Sequence, residues 1–496
     1  MKIKILVLFS ILVFSSTLLS GQGMIIEPNA YVSVRNGGKL IITDATNGKL
    51  RIKSTSAGTG SLLVDNTAGS SLTVPSNNAY VERYLALAQW HYISSPLSNG
   101  LSGIFLMDYL RTSDQTATSG WAPYIASTTD PLDVMRGYAV WKPASNAAWQ
   151  EVFNGNLNNG NLSINIGWLA GDWAGWHLVG NPYPCAIDLT TGVTWNNVES
   201  TAWFWNGSAG NYQAWPTNGI NTGIYNGGTH PGIVPAMQGF YVHSTNATAS
   251  LALTNASRVN TAQAFLKSTT DPHLIIRAQG YANSYFDVIS VLFNPDATAS
   301  YDQGYDAYKL YGLTEAPQLY TQINDTNVSC NSLPFGRADI TIPMGFSCGV
   351  AGNYTLIADS LGTFDSNVAI MLEDLKLSIT QSLRSNPVYN FSYATTDNSN
   401  RFLLHFDNPY FGISDLQSGP DLLQIYSYEN FIYIRKTGTE PLIGKMSVYD
   451  LLGRELFTCN LSDALVSKYE VNLNEGYYIV KVISDEFATS KKVFIR

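Results

Sequence analysis

The sequence predicts an all-β, multidomain protein, and three observations carry that prediction. Helical periodicity is nearly absent, whereas short runs rich in Val, Ile, Tyr, Phe, Trp and Thr recur along the chain. Asn-Gly, Gly-Gly, Asp-Asn and Ser-Gly pairs separate these runs, and such pairs favour turns. A chain of 496 residues is also too long for one compact core, so about three or four domains are expected.

The composition is typical of a secreted β-rich protein. Charged residues make up 13% of the chain, about half the usual share, and the net charge of −9 is spread without acidic or basic runs. Because phosphate binding needs clustered Lys and Arg, a nucleic-acid partner is not expected.

The first residues have the pattern of a secretory signal peptide. Lys2 and Lys4 precede an apolar stretch over residues 5–19, and small residues follow directly. We therefore predict a signal peptide over residues 1–21. This stretch is too short for a stable membrane span and no later segment is longer, so no transmembrane span is expected.

Residues 22–80 carry short strand runs at a spacing of roughly ten residues, with Gly or Asn between them. Each run alternates apolar and polar side chains, as at Leu40 and Ile42. This pattern predicts a short β-repeat, solenoid-like unit that packs onto the rest of the chain.

Residues 81–267 contain one pair of motifs twice. WHYISSP begins at Trp90 and WHLVGNPYP at Trp176; RGYAVW then begins at Arg136 and QGFYVH at Gln238. The parallel predicts a β-sandwich or jelly-roll-like unit with an internal duplication. Since side chains alternate along a strand, each His is expected on the face opposite its Trp, as a strand residue rather than a ligand.

The remaining chain divides into two further strand-rich units. Residues 268–411 have hairpin-spaced strand runs that predict a second β-sandwich. Residues 412–421 have the composition of a linker, and residues 422–496 hold seven short strand runs that predict a compact Ig-like β-sandwich.

The four cysteines fit no metal-binding spacing. Cys330 and Cys348 lie in one predicted unit, and export to an oxidising compartment would permit a disulfide between them. Cys185 and Cys459 are better interpreted as small buried thiols.

The last unit carries three short patterns in order: an Asp-x-x-Gly-Arg hairpin, a Gly-x-Tyr-x-Val strand start and a basic last strand. The matching residues are Asp450, Gly453, Arg454, Gly476, Tyr478, Val480, Lys491, Lys492 and Val493. With these motifs, residues 422–496 resemble the type-A C-terminal sorting domain of the bacterial type IX secretion system.

That resemblance implies where the protein goes. It implies a Bacteroidota source, export by the N-terminal signal, and recognition by the outer-membrane machinery of the type IX system. The protein would then be released or attached to a surface glycolipid, which places it outside the cell or on its surface. The middle of the chain, with its repeated motifs and YDAYKL at Tyr305, resembles uncharacterised β-rich cargo segments of such proteins.

Motifs of catalysis and metal binding are missing from the sequence. It has no Gly-x-Ser-x-Gly elbow and no His-Glu-x-x-His, so no catalytic residue, metal site or cofactor is predicted and the chain is not expected to be an enzyme. A calcium ion held by loop Asp and Asn residues leaves no spacing signature, so that alternative stays open.

A group of aromatic residues is the candidate for ligand contact. Aromatic faces stack on sugars and nearby amides hydrogen-bond to them; the competing interpretation is that these side chains fill a core. The candidates are Trp203, Trp205, Tyr212 and Trp215.

Three hypotheses follow for the function. The leading one is an exported, non-enzymatic, adhesin-like or scaffold protein whose glycan or protein ligand the sequence does not name. The second is a carbohydrate-binding protein that uses the Trp-rich middle unit. The third is a glycan- or peptide-degrading hydrolase, which two buried carboxylates converging on one cleft would favour.

Overall fold

The computed structural model describes most of the chain. The described residues are 23–35, 37–42, 49–65, 70–144, 150–219, 224–225, 228–229, 232–260, 271–281, 283–334, 339–407, 423–436, 443–450, 453–461, 464, 466–484 and 488–495. The predicted signal peptide (1–21) and linker (412–421) lie outside them. Over these ranges the helices are short 3-10 turns, at Ser102–Phe105, Asn255–Ser257 and Leu361–Thr363, and no helix is long and apolar enough to span a membrane.

The first unit is a stack of short parallel strands. Its strands are β1 (Met24–Ile26), β2 (Tyr31–Val34), β3 (Lys39–Ile41), β4 (Leu50–Ile52), β5 (Ser54–Thr55), β6 (Gly58–Thr59), β7 (Ser61–Val64), β8 (Ser71–Thr73) and β9 (Ala79–Tyr84). Strand β4 pairs in parallel with β1 and β9, β2 pairs with β7, and β3 pairs with β8. Stacked parallel rungs form a small β-solenoid, as the short alternating runs predict.

The second unit consists of several small antiparallel sheets. Its strands are β10 (Trp90–Ser94), β11 (Tyr109–Arg111), β12 (Gly137–Trp141), β13 (Gln150–Gly155), β14 (Leu162–Asn165), β15 (Trp176–Gly180), β16 (Ala186–Asp188), β17 (Val193–Asn196), β18 (Thr201–Asn206), β19 (Asn211–Pro216), β20 (Ile224–Tyr225), β21 (Gly228–Thr229), β22 (Ile233–Val234), β23 (Gly239–His243), β24 (Ser250–Leu253) and β25 (Arg258–Val259). Strand β13 pairs with β9, so this unit and the solenoid share a sheet.

The repeated sequence motifs form two strand pairs with the same register. Strand β10 runs antiparallel to β12, with Trp90 opposite Trp141. Strand β15 runs antiparallel to β23, with Trp176 opposite His243. In both pairs the antiparallel pairing extends to the last residue of the strand that begins with Trp-His. The repeat in sequence is therefore a repeat in structure, and its residues build scaffold.

The two strand pairs cross where their small residues lie. A Cβ on Gly180 would lie 2.5 Å from Ser94 Cβ, and one on Gly137 would lie 2.5 Å from the carbonyl oxygen of Val179. Since real Cβ atoms do not approach other atoms so closely, only glycine fits at these two positions. The small residues in both copies of the motif are thus explained by the crossing.

The third unit is one curled sheet. Its strands are β26 (His273–Gly280), β27 (Phe286–Phe293), β28 (Ala307–Tyr308), β29 (Gln318–Ile323), β30 (Thr326–Leu333), β31 (Asp339–Ser347), β32 (Gly352–Asp359), β33 (Ala369–Asp374), β34 (Ile379–Ser382), β35 (Val388–Tyr393) and β36 (Phe402–Asp407). The 11-stranded sheet nearly closes into a barrel. Its edge strands approach each other, since Gln381 Nε2 donates to the carbonyl oxygens of Asn386 and Val388 at 2.9 Å.

The last unit is a two-sheet sandwich. Its strands are β37 (Leu423–Tyr428), β38 (Phe431–Lys436), β39 (Gly444–Tyr449), β40 (Glu455–Asn460), β41 (Val466–Glu470), β42 (Gly476–Ser484) and β43 (Ala488–Ile495). One sheet has the order β37-β38-β41 and the other β40-β39-β42-β43. Ile432, Val448 and Val480 are fully buried between them, as the alternating runs predict.

The disulfide that the sequence would permit between Cys330 and Cys348 is not formed in the structure. Both are free thiols in the structure. Cys330 packs in the aromatic cluster around Trp203, whereas Cys348 lies in the core of the curled sheet, where its Sγ accepts a hydrogen bond from Tyr354 at 3.1 Å. The two thiols face different cores, because closeness in sequence does not fix the face of a sheet on which a side chain lies.

Gly180→Ala is expected to destabilise the second unit by about 1–3 kcal/mol, because the added methyl group overlaps Ser94 where the strand pairs cross. Urea unfolding followed by tryptophan fluorescence measures the effect. Gly362→Ala is the matched control, since a Cβ there meets no atom within 4 Å. Equal unfolding midpoints for the two variants would contradict the close crossing.

Candidate functional site

A cleft of about 500 Å³ opens where the solenoid meets the second unit. Its walls are drawn from residues 54–61, 83–92, 205–207 and 235–238, and we call it the hairpin cleft after the β5–β6 hairpin that forms one side. Its volume lies in the range of small-molecule sites, about 300–1,000 Å³. It is therefore the candidate binding site among the described residues.

The hairpin wall is fixed to the sheet below it. Ser54 Oγ lies 2.8 Å from Thr59 Oγ1 across the hairpin, and the backbone N–H of Tyr84 donates to Ser54 Oγ at 3.0 Å. The backbone N–H of Ser54 donates to the carboxylate of Glu82 at 3.2 Å. These bonds tie the hairpin to β9, so this wall is pre-formed.

The Arg83 guanidinium lies in the cleft and is held by the second unit. Its Nη2 donates to Gln238 Oε1 at 3.0 Å and its Nη1 to the carbonyl oxygen of Ala236 at 3.4 Å. Gln238 Nε2 in turn donates to the carbonyl oxygens of Tyr92 and Gly239, at 3.0 and 2.9 Å. The charged group is thus oriented by a polar network that joins β9, β10 and β23.

Two tryptophans line the cleft. The Trp205 ring packs edge-on against Tyr212, with centroids 5.2 Å apart, and its indole N–H has no hydrogen-bond partner within the described structure. The Trp90 ring lies 5.6 Å from the ring of Trp141 and 4.7 Å from the Arg111 guanidinium. Both rings are therefore held in place by packing, and the Trp205 indole N–H is itself buried.

The charge of the cleft is that of a single arginine. Among the described residues that line it there is no Asp or Glu, and the basic side chains are Arg83 and His91. Burial lowers the pKa of His91, whose Nε2 lies 2.9 Å from the carbonyl oxygen of Ala86, so His91 is neutral at pH 7. The pair of carboxyl groups that glycoside hydrolysis uses is therefore not found among the described lining residues of the cleft.

Of the four aromatic residues predicted to contact a ligand, Trp205 lines the cleft and the other three do not. Trp203 is fully buried and donates its indole N–H to the carbonyl oxygen of Tyr308 at 3.0 Å. Tyr212 is buried behind Trp205, and Trp215 lies on the opposite face of the sheet in another core. For Trp203, Tyr212 and Trp215 the structure therefore favours the competing interpretation, that these side chains fill a core.

The sequence does not single out Trp90, Gln238 or Arg83 as residues of a binding site. Trp90 and Gln238 belong to the repeated motifs and are interpreted there as scaffold. Arg83 stands in an ordinary strand run with no distinguishing signal. The two copies of the motif differ at one equivalent position, which is Arg136 in one and Gln238 in the other. This difference is the one sequence signal that could have marked Gln238 as a cleft residue.

The motif histidines are strand residues in the structure. Burial lowers the pKa of His177 to about 4, so this ring is neutral at physiological pH. Within the described part of the chain, no three His, Cys, Asp or Glu side chains gather so that they could hold a metal ion. His230 lies outside the described residues.

Two buried carboxyl groups outside the cleft have pKa values raised to about 7, chiefly by burial: those of Glu199 and Asp306. The Asp306 carboxylate accepts the backbone N–H groups of Asp302 and Ser332, both at 2.6 Å. Glu199 accepts the Tyr301 hydroxyl at 3.4 Å. The Asp306 bonds lie within the third unit, whereas the Tyr301 bond to Glu199 joins that unit to the second. Neither carboxyl group lines the hairpin cleft, so they do not complete a hydrolytic site there.

The first sorting motif closes a tight hairpin. The backbone N–H of Arg454 donates to Asp450 Oδ1 at 2.9 Å, and its Nε donates to Oδ2 at 2.6 Å. Gly453 has φ of 85°, a left-handed conformation that favours glycine. Asp, Gly and Arg at this spacing thus form one turn.

The other sorting motifs lie on the last two strands. Tyr478 on β42 is opposite Val493 on β43, and both are buried. The Tyr478 hydroxyl donates to the carbonyl oxygen of Asn474 at 2.7 Å, just before Gly476 begins β42. The exposed residues of these two motifs are Lys491 and Lys492.

Comparison with known families agrees with this architecture. Residues 428–496 match the "Secretion system C-terminal sorting domain", so the chain is of the class exported by type IX secretion to the cell surface or the extracellular space. Residues 9–406 match the family "Domain of unknown function (DUF8693)". The chain belongs to the DUF8693 family. No curated protein matches the chain.

Glu199→Gln is expected to remove a loss of stability that wild type shows as pH rises. The pKa of Glu199 in the folded state, about 7, lies above its ordinary value of 4.5. The contribution of Glu199 to the free energy of unfolding is therefore fully present below about pH 4.5 and is lost as pH rises through 7.

Urea unfolding at pH 5 and pH 8.5 tests this. Relative to wild type, E199Q should gain on the order of 1–3 kcal/mol at the higher pH, because one pKa unit corresponds to about 1.4 kcal/mol. The Glu199 charge also raises the pKa of Asp306, so relief of that repulsion adds to the gain of E199Q at the higher pH. A stability difference between the two proteins that does not change with pH would contradict the expected ionisation.

Asp450→Ala is expected to reduce severalfold the amount of protein that leaves the cell, because the hairpin loses both bonds from Arg454. Fractionation of producing cells and medium, with quantitative immunoblotting, measures export. Glu455→Gln in the neighbouring strand is the control, since it leaves the Asp450 bonds intact. Export of D450A at the control level would show that this hairpin is not needed for recognition.

Proposed function

We propose that this chain is a non-enzymatic, adhesin-like exported protein that binds carbohydrate in the hairpin cleft. One observation carries the proposal: Trp90 and Trp205 line the cleft together with the polar side chains of Arg83 and Gln238, and no carboxylate lies among its described lining. An aromatic wall with hydrogen-bonding groups and without acids favours binding over cleavage.

Sugars match the chemistry of this lining. A pyranose ring presents apolar C–H groups on its faces, which pack on indole rings, and hydroxyl groups at its edge, which need donors and acceptors. The cleft supplies both kinds of partner, with Gln89 beside Gly207 and Trp205 and with the hydroxyls of the hairpin opposite. Its volume suits a short stretch of an oligosaccharide.

The cleft is also pre-organised, which favours affinity. Ser54 and Thr59 are bonded across the hairpin, and Gln238 is bonded on both sides of its amide. Groups that are already fixed lose little conformational entropy when a ligand binds.

The proposal also covers the export of the protein and the division of the chain into structural units. It includes a signal peptide over residues 1–21, a Bacteroidota source and attachment of the exported protein to a surface glycolipid. It also divides the chain into units at 22–80, 81–267, 268–411 and 422–496, with a linker at 412–421. The sorting-domain match supports the routing.

Trp205→Ala is expected to weaken binding to a recognised oligosaccharide about tenfold or more, because truncation of an aromatic anchor removes its stacking surface. Wild type is first screened on an array of neutral and acidic plant, algal and host glycans. Isothermal titration with the best ligand then gives the affinities. Equal unfolding midpoints for variant and wild type would confirm that the variant is folded.

Trp168→Ala is the matched control, since Trp168 is an exposed tryptophan outside the cleft. It should bind as wild type does. The proposal fails if W205A and W168A bind alike, or if wild type binds nothing on the array.

A further inference from the structure

We propose that the side chains of Lys142 and Asp108 become joined by an amide bond, and that Glu151 is the group that moves the protons in this reaction. The isopeptide bond forms inside the folded protein and needs no cofactor. This modification goes beyond the proposed carbohydrate binding and does not depend on it.

The three side chains meet in the interior of the second unit. Lys142 Nζ lies 3.4 Å from Asp108 Oδ2 and donates a hydrogen bond to Glu151 Oε1. The side chains of Lys142, Asp108 and Glu151 are 2%, 3% and 10% exposed. The amine is therefore already in contact with the carboxyl group that it attacks, and groups held in contact by a fold react far faster than free ones.

Asp108 and Lys142 stand at matching positions on neighbouring strands. Tyr109 on β11 is opposite Trp141 on the antiparallel strand β12. Asp108 precedes Tyr109 and Lys142 follows Trp141, so the two residues are the next pair in the same register. An amide bond between them ties β11 to β12 and joins residues 34 positions apart. A cross-link of this kind stabilises a fold by restricting the unfolded chain.

The cluster lies at the edge of an apolar core. Side chains two residues apart on a strand share a face, so Lys142 lies on the side of Val140 and Glu151 on the side of Phe153, and both of these apolar residues are fully buried. Buried charges are costly even when paired. The reaction converts one ammonium group and one carboxylate into a neutral amide, and the acid that remains has Arg83 opposite it on β9.

Glu151 has the properties of a proton carrier. Burial raises the pKa of Glu151 above its ordinary value, so this carboxyl group holds a proton more readily than an exposed glutamate does. It takes a proton from the Lys142 ammonium, which frees the nitrogen lone pair to attack Cγ of Asp108.

The new C–N bond replaces one C–O bond of Asp108. In all, two protons leave the Lys142 nitrogen and both end on the departing oxygen, carried by the Glu151 carboxyl group, which is regenerated. The products are one amide and one water molecule, so atoms and charges balance without an oxidant or a second substrate.

A second buried Lys–Asp pair serves as an internal control. Lys309 Nζ lies 2.6 Å from Asp287 Oδ2, and the two side chains are 0% and 2% exposed. The Asp287 carboxylate also accepts the backbone N–H groups of Val288 and Leu319, at 2.9 and 2.6 Å. Among these contacts there is no second carboxyl group to carry protons, so this pair should stay an ion pair.

Mass spectrometry of the purified wild-type protein under reducing conditions is the test. We expect an intact mass lower by one water molecule than the sequence of the same chain requires. Tandem spectra after chymotryptic digestion should show one branched peptide joined through Asp108 and Lys142, with Asp287 and Lys309 in unlinked peptides. An intact mass equal to that of the sequence, or a link from Lys142 to Glu151, would overturn the proposal.

Variants assign the roles. Lys142→Met and Asp108→Ala should keep the mass that their sequences require, and Glu151→Gln should lower the linked fraction severalfold, because proton transfer by a positioned side chain accelerates such steps. Lys376→Ala, which removes a surface lysine paired with Asp397, is the control and should lose one water molecule as wild type does.

Circular dichroism and unfolding midpoints show whether each variant is folded. The wild-type mass needs no substitution, so a variant that fails to fold leaves the test intact. Complete linkage in E151Q would overturn the role of Glu151, and loss of a water molecule in K142M would show that the dehydration lies elsewhere.

Discussion

The close crossing of the two strand pairs is the constraint on which the centre of the molecule depends. A Cβ on Gly239 would lie 2.9 Å from the backbone nitrogen of Ile93, so the backbones of β23 and β10 pack against each other without side chains between them. That contact places Gln238 beside Tyr92, where its amide reaches the Tyr92 carbonyl and Arg83. The polar network of the hairpin cleft exists because two copies of one motif meet at glycine.

A polar residue of the motif that resembles a ligand-binding residue instead stabilises the region where the strand pairs cross. Asn181, in the Gly-Asn-Pro of the second copy, is fully buried. Its Nδ2 donates to the carbonyl oxygens of Cys185, Val234 and Pro235 at 2.8, 3.2 and 2.9 Å. It thereby fixes the segment that leads into Gln238. Buried amides of this kind are satisfied by backbone, and they position a site without entering it.

The sequence predicts the fold class and the sorting motifs well, and the candidate site only in part. Alternation of apolar residues, turn pairs and the Asp450 hairpin are local patterns, so they can be read from neighbouring residues. Trp205 was identified because it stands in a dense aromatic stretch. Nothing local distinguishes it from Trp203, which is buried because strand β28 of the third unit packs over it.

The sequence by itself determined that this chain is all-β, that one motif pair is used twice and that the last unit carries an export signal, because each of these is written in short-range order. The tertiary structure decided which aromatic residues remain accessible, that Cys330 and Cys348 lie in separate cores, and that Arg83 meets Gln238. Those two residues are 155 positions apart. Contacts at such separations depend on which sheet faces pack together, and a pattern with a period of two residues specifies alternation within a strand but not its packing partner.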